Sequence, residues 1–360
     1  MPRRALLALT AATLALTAAC SGAPPSGSAP PPAAAPTTPA TMDTPGAPNR
    51  FPEPLPPPAE PAVAPAPTAT PAGRTVQVGS VPEGIVADGP SRRVAVGVRE
   101  PNQLVLLDTD SGAVTGRVPL PGVLRHLQVA VPGGPVLVPD ESSNSLIQVA
   151  LPNGPATSQV TTGTSPHDAT QAPNGTIFAA NEGGGTVVAI RDNQVVHTFT
   201  DVTQPAGLAA VGDRVGLIDV RDNSLTIYDT NTYAGILELP AGAGPTHLVA
   251  DKHGRMIATD TRGGQVLVYD PSGTPRQIAA LSVPGEPYGI TYDPVRDRLW
   301  VTVTATNQLI GYDMTNPEPR EIARIPTVRQ ANTVAVDPDT GRLFVTGTND
   351  GVVQIVEGPA

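Results

Sequence analysis

Three of the five histidines in this 360-residue chain follow one recurring landmark, a proline-marked turn that opens a β-rich run. His126 lies in Leu124-Arg125-His126-Leu127, His167 in Pro166-His167-Asp168-Ala169 and His247 in Pro245-Thr246-His247-Leu248. Matching openings elsewhere carry Glu83, Tyr288 and Asn332. If these runs are the inner strands of a ring, Glu83, Arg125, His126, Asp168, His247, Tyr288 and Asn332 converge on one channel mouth as a ligand-binding set. Imidazoles with a carboxylate are donors for a divalent metal, which makes His126, Asp168 and His247 the weak metal candidates. His167 is offset by one residue, and strand alternation predicts that it faces away from the others. The plainer role of each histidine is to cap a turn or bond a neighbouring carbonyl. A polar small-ligand mouth is therefore preferred to a metal, and no cofactor is predicted.

A second set lies in turns expected on the same face: Arg99, Asn102, Asn144, Arg221, Asn223, Arg262 and Asn307. Asparagine suits positive-φ hairpin positions, so turn chemistry is its plain role. Its functional role would be a peptide- or carbohydrate-binding rim of amides and guanidinium groups. Two other motifs carry no chemistry. Asp108-Thr109-Asp110-Ser111-Gly112 resembles half a calcium loop, but Pro119 stands where the bidentate Glu belongs. Gly183-Gly184-Gly185 lacks the lysine of a phosphate loop. The chain has no Gly-x-Ser-x-Gly elbow, no His-Glu-x-x-His and no paired cysteines, so local motifs spell no catalytic centre.

The elements that must position these residues repeat about every 40 residues from Arg74 to the C-terminus. The fifth unit shows the pattern: strand 246–250, turn, strand 255–259, turn, strand 265–269, turn, strand 276–281. Four short strands and three hairpin turns make one propeller blade. The near-continuous Val, Ile and Leu of several runs suits strands covered on both faces. The last unit ends at Val352-Val353-Gln354-Ile355-Val356, one strand short, while Arg74-Thr75-Val76-Gln77-Val78-Gly79 stands without a blade. The economical fold is all-β, a seven-bladed propeller over 74–360, closed by that N-terminal outer strand so that no edge stays unpaired.

The N-terminus predicts compartment. Arg3-Arg4 precedes an apolar run from Ala5 to Leu16, too short to span a bilayer and suited to a secretory signal. Thr17-Ala18-Ala19-Cys20 follows and resembles a bacterial lipobox, with Cys20, the only cysteine, as the lipidated mature N-terminus. The expected domains are thus a signal peptide at 1–19, a lipidated tether at 20–73 and the propeller. Residues 23–72 hold 18 prolines in 50 positions, which predicts a disordered, polyproline-like tether. Loss of Arg3 and Arg4 with the signal takes the formal charge from −10 to −12. So acidic a chain repels nucleic acid and anionic headgroups, and attachment to the membrane falls to the lipid on Cys20.

The proline openings, the second strands Trp300-Val301-Thr302 and Phe344-Val345-Thr346, and the third strands Ile227-Tyr228-Asp229, Val268-Tyr269-Asp270 and Ile310-Gly311-Tyr312-Asp313 resemble the YVTN-repeat, or YncE-like, β-propellers. Asp260-Thr261-Arg262-Gly263-Gly264-Gln265, Pro287-Tyr288-Gly289 and Ala305-Thr306-Asn307 are similar to stretches of the mycobacterial LppL-type lipoproteins. The resemblance implies a lipoprotein on the outer leaflet of the bacterial cytoplasmic membrane, facing the cell wall; a monomer is expected. It implies no established activity. The leading expectation is a non-catalytic top face that binds an envelope protein, peptide or glycan. The alternative is a lactonase-like hydrolase or quinone-dependent dehydrogenase-like enzyme with its site at the channel mouth.

Overall fold

The computed structural model describes residues 55–358. The expected signal peptide, Cys20 and the tether up to residue 54 lie outside them. The described chain forms seven four-stranded antiparallel sheets, and no α-helix occurs among these residues. The first six blades run outward in chain order over 80–119, 128–161, 166–199, 205–240, 245–282 and 287–326. The seventh takes Ala331–Val336, Leu343–Gly347 and Val352–Val356, and its outer strand is Arg74–Gln77. Arg74 pairs with Ile355 and Gln77 with Val352, so the first strand of the ring closes the last blade as the sequence predicts.

Burial explains why the second and third strands are largely apolar. Val136–Asp140 and Met256–Asp260 are buried at every position, whereas the outer strand Gly235–Pro240 is largely exposed. Seven hydrophobic clusters fill the ring, one at each boundary between blades. Phe178 and Ala189 of the third blade, for example, share a cluster with Leu217 and Tyr228 of the fourth. No blade therefore owns a core. Trp300, 1 % exposed, lies over Gly311 so closely that an added Cβ would come within 2.5 Å of its ring.

Threonine hydroxyls on one blade hold the inner strand of the next. Thr259 donates to the Tyr288 carbonyl at 2.9 Å and Thr302 to the Asn332 carbonyl at 3.3 Å. Thr333, bonded to Thr346, donates to the Glu83 carbonyl. The Thr of the Trp-Val-Thr and Phe-Val-Thr strands thus fixes backbone that presents mouth residues. The Asp of the Tyr-Asp strands does turn work, as Asp313 accepting from the Thr315 amide at 2.9 Å shows. Asp108 likewise accepts from the Ser111 amide at 2.9 Å, so the half calcium loop is an ordinary turn.

One sequence expectation is corrected. Residues 55–73, placed in the disordered tether, carry defined contacts with the propeller. Ala64 is 1 % exposed, its amide donates to Gln330 Oε1 at 2.9 Å, and Asn307 donates to the Pro65 carbonyl at 3.0 Å. Proline bars a segment from sheets but leaves its carbonyls free to accept side-chain hydrogen bonds.

Candidate functional site

The inner strands of six blades carry a register irregularity just after their opening, for instance between Pro245 and Leu248 and between Pro287 and Ile290. A bulge re-aims the side chains beside it. Close backbone approach is needed there, and Gly289 provides it: an added Cβ would lie 2.3 Å from the Asn332 carbonyl. The result is a ring of side chains around one end of a central channel of about 460 Å³, with His126, His247 and Asp168 among its lining residues.

The imidazoles gather more tightly than alternation allows. His126 stacks on His247 with ring centres 4.2 Å apart and planes 25° from parallel. His167 meets His126 edge-on at 4.4 Å, and Tyr288 meets His247 edge-on at 4.5 Å. The expectation that His167 faces away is overturned. The extra residue between Pro166 and Asp168 breaks the alternation on which it rested. The other two histidines stand apart, His197 stacked on Tyr233 and His253 against Asp297 at 2.7 Å.

Around the imidazoles runs a chain of ion pairs. Glu83 lies 2.6 Å from Arg99, Arg125 lies 3.1 Å from Glu141, and His167 Nδ1 lies 2.6 Å from Glu182. Gln204 also donates to Glu182 at 2.9 Å. Asn332, 4 % exposed, accepts from Gln330 at 3.0 Å. Asp168 accepts from Gln128 at 3.0 Å and from the Leu208 and Ala169 amides at 2.9 and 2.8 Å.

These surroundings drive the titrating groups apart. Burial, then the neighbouring His247 and His167, holds His126 well below the usual histidine range. Burial takes His247 down to about 3. Burial also opposes charge on His167, but the contact with Glu182 outweighs it and raises that pKa. Burial would raise Glu182, yet His167 and Gln204 bring it to about 2. Burial lifts Asp168 to about 6 despite its hydrogen bonds, and it raises Glu83 against the pull of Arg99. The His167–Glu182 contact thus favours the charged form of both partners, beside two imidazoles in which burial favours the neutral form. Neither ring nitrogen of His247 makes a well-formed hydrogen bond among the described residues; the nearby Tyr288 carbonyl only partly offsets their burial.

The metal candidates do not share a focus. Stacked rings direct their in-plane lone pairs side by side, and Asp168 is occupied by amide donors. Among the described residues no group of three His, Cys, Asp or Glu side chains is arranged to hold a metal. The rim residues also part company. Arg99 turns into the mouth, while Asn144, Asn223 and Asn307 take positive φ of 55°, 55° and 51° in their turns. The Asn102 carbonyl accepts from the Leu120 amide at 3.0 Å, and Arg221 is half-buried. Arg262 and Asn307 bind the segment before the first strand. Sequence reasoning missed Glu141 and Glu182. Each directly follows a buried strand-end residue, Asp140 or Asn181, which would have marked them.

No protein-family model and no curated protein matches the chain in sequence. Solved structures match its fold. The hydrazine synthase of Kuenenia stuttgartiensis is 15 % identical with a TM-score of 0.66, covering 77 % of this chain and 95 % of that one. Virginiamycin B lyase from Staphylococcus aureus is 16 % identical at 0.63, covering 79 % and 98 %. A chain of the mitotic checkpoint complex is 12 % identical at 0.69, covering 84 % and 97 %. At such identities the likeness is one of fold alone.

Proposed function

We propose that this protein is a cell-envelope lipoprotein, held to the membrane by lipid on Cys20, whose propeller binds an envelope polypeptide or glycan on the face around the histidines. One observation carries this reading: buried titratable groups from five blades converge on a single channel mouth, where neither ring nitrogen of His247 makes a well-formed hydrogen bond. A buried polar group without a partner costs about 1–3 kcal/mol, a cost that a ligand donating or accepting there removes. Perturbed ionisable groups also concentrate at functional sites. The acidic ring of Glu83, Glu141 and Glu182 is already partnered by Arg99, Arg125 and His167. The mouth thus favours uncharged hydrogen-bonding groups over strongly charged ones.

The test is calorimetric titration with peptides and glycan fragments of the bacterial cell wall. Saturable binding by wild type, weakened at least tenfold in His247→Leu with its fold retained, supports the reading. Absence of binding, or binding indifferent to the mouth, overturns it. The anchoring half is tested separately, since Cys20→Ala should move the protein from the membrane fraction to the soluble one.

The second reading is an enzyme at the same mouth. It is favoured by the opposed pKa shifts of His247 and Asp168, one imidazole kept neutral and one carboxyl brought to about 6, a pattern suited to proton transfer. Turnover of a bound glycan or peptide, lost in His126→Asn, would select it.

A further inference from the structure

The segment 57–65 crosses the same face, and the way it is held identifies a kind of ligand. Arg262 of the fifth blade donates to the Pro57 carbonyl at 2.5 Å, and Glu60 lies 3.6 Å from Arg125 at the mouth. At the entrance to the seventh blade, Gln330 donates to the Ala62 carbonyl at 2.7 Å and accepts from the Ala64 amide at 2.9 Å. Arg329 donates to the Ala64 carbonyl at 3.0 Å, and Asn307 of the sixth blade to the Pro65 carbonyl at 3.0 Å. The path therefore runs from the fifth blade past the mouth to the seventh and sixth.

Arg125 faces the Glu60 carboxylate; the other donors, Arg262, Arg329, Asn307 and Gln330, each read a backbone carbonyl, the one backbone group proline retains. Gln330 alone needs an N–H, and it finds it at Ala64, which unlike Pro61 and Pro65 has one to give. The side chains agree: Ala64 is 1 % exposed while its neighbour Val63 is 87 % exposed, so the groove admits a small residue at one place and ignores the next. A polyproline-like chain is already extended and loses little entropy on docking.

We propose that this face is a docking groove for extended, proline-rich peptides with a small non-proline residue at the Gln330 position, and that residues 57–65 are its resident ligand in cis. The proposal rests on reading the face as a recognition surface and names the partner class. Residues 66–73 form a short link to the closing strand, so the segment acts at an effective concentration on the order of 1 mM. A peptide of equal intrinsic affinity at about 10 μM would then be outcompeted roughly 100-fold. A partner must either bind better or arrive at high local density.

The experiment uses a fluorescent peptide spanning residues 56–66 and two forms of the full chain: wild type, and a variant with 57–65 replaced by Gly and Ser at equal length. Anisotropy should show saturable binding to the replaced variant and at least tenfold weaker binding to wild type. Adding Gln330→Ala to the replaced variant, or Ala64→Pro to the peptide, should each cost at least tenfold. No binding to the replaced variant, or equal binding to both forms, overturns the proposal. Should the replaced variant fail to fold, hydrogen exchange decides. The Ala64 amide should be protected in wild type and at least tenfold less so in Gln330→Ala, and an unprotected Ala64 overturns the proposal. Cell-wall ligand binding that persists while the peptide fails removes the docking groove alone, and the reverse result removes the mouth alone.

Discussion

His126 and His247 come from the second and fifth blades and meet face to face, 4.2 Å between ring centres. Side chains from blades so far apart around the ring touch only where the channel is bridged. The stack therefore closes the top of the channel as well as lining its mouth. Because the two rings share one burial, protonation of either brings a charge against its neighbour.

Burial of His247 sets an acid limb of stability. His247 has a folded pKa of about 3 against an ordinary histidine value of 6.5. Between those values the unfolded chain takes up a proton that the native state refuses. The contribution is complete above pH 6.5 and is lost as pH falls toward 3, the loss amounting to roughly 2 kcal/mol at pH 5. Denaturant melts at pH 7 and pH 5 should show a smaller drop in His247→Asn than in wild type. Identical drops would place a charge on the native ring.

His167 behaves in the opposite sense. Its raised pKa gives stability that is full below 6.5 and fades as pH rises through the folded value. Glu182→Gln removes the group responsible, so burial should then dominate and bring the His167 titration below 6.5 in an NMR pH series. A titration unchanged in Glu182→Gln would assign the shift to Glu141, 4.0 Å away.

Ring closure is testable by trimming. A chain beginning at residue 73 keeps Arg74–Gln77 and the buried Val78, whereas one beginning at residue 80 loses both. Val78 alone contributes about 1.5–3 kcal/mol by burial, so the shorter chain should melt at least roughly 5 °C lower. Equal melting temperatures would show that the seventh blade does without its outer strand.

Packing between Trp300 and Gly311 leaves no room for a methyl group. Gly311→Ala should destabilise by about 1–3 kcal/mol through overpacking, read as a lower denaturation midpoint with an unchanged slope. A neutral outcome would mean that the indole shifts freely within the boundary between the sixth and seventh blades.

Much of this was legible in the sequence, for identifiable reasons. Blade count and closure follow from periodicity and from the strand missing after Val356, both properties of backbone pairing. Convergence of His126 and His247 follows from their equal position in two units. His167 was misread because one inserted residue reverses a side chain, and insertion depends on the neighbouring strand. The docked segment was misread because its proline content excludes regular structure but says nothing of side chains such as Gln330 and Arg329, which follow it by about 265 residues.

Placing every apolar cluster between blades has a consequence in time. The face of the first blade carrying Val94 and Val96 is covered by Phe344, Val353 and Ile355 of the seventh. At roughly 5–20 residues per second, a ribosome needs on the order of ten to fifty seconds to pass from one to the other. Throughout that interval the leading blade presents an uncovered hydrophobic flank, and each blade added merely moves the opposite flank along the chain. Both flanks disappear together, when the final strand arrives and the ring shuts.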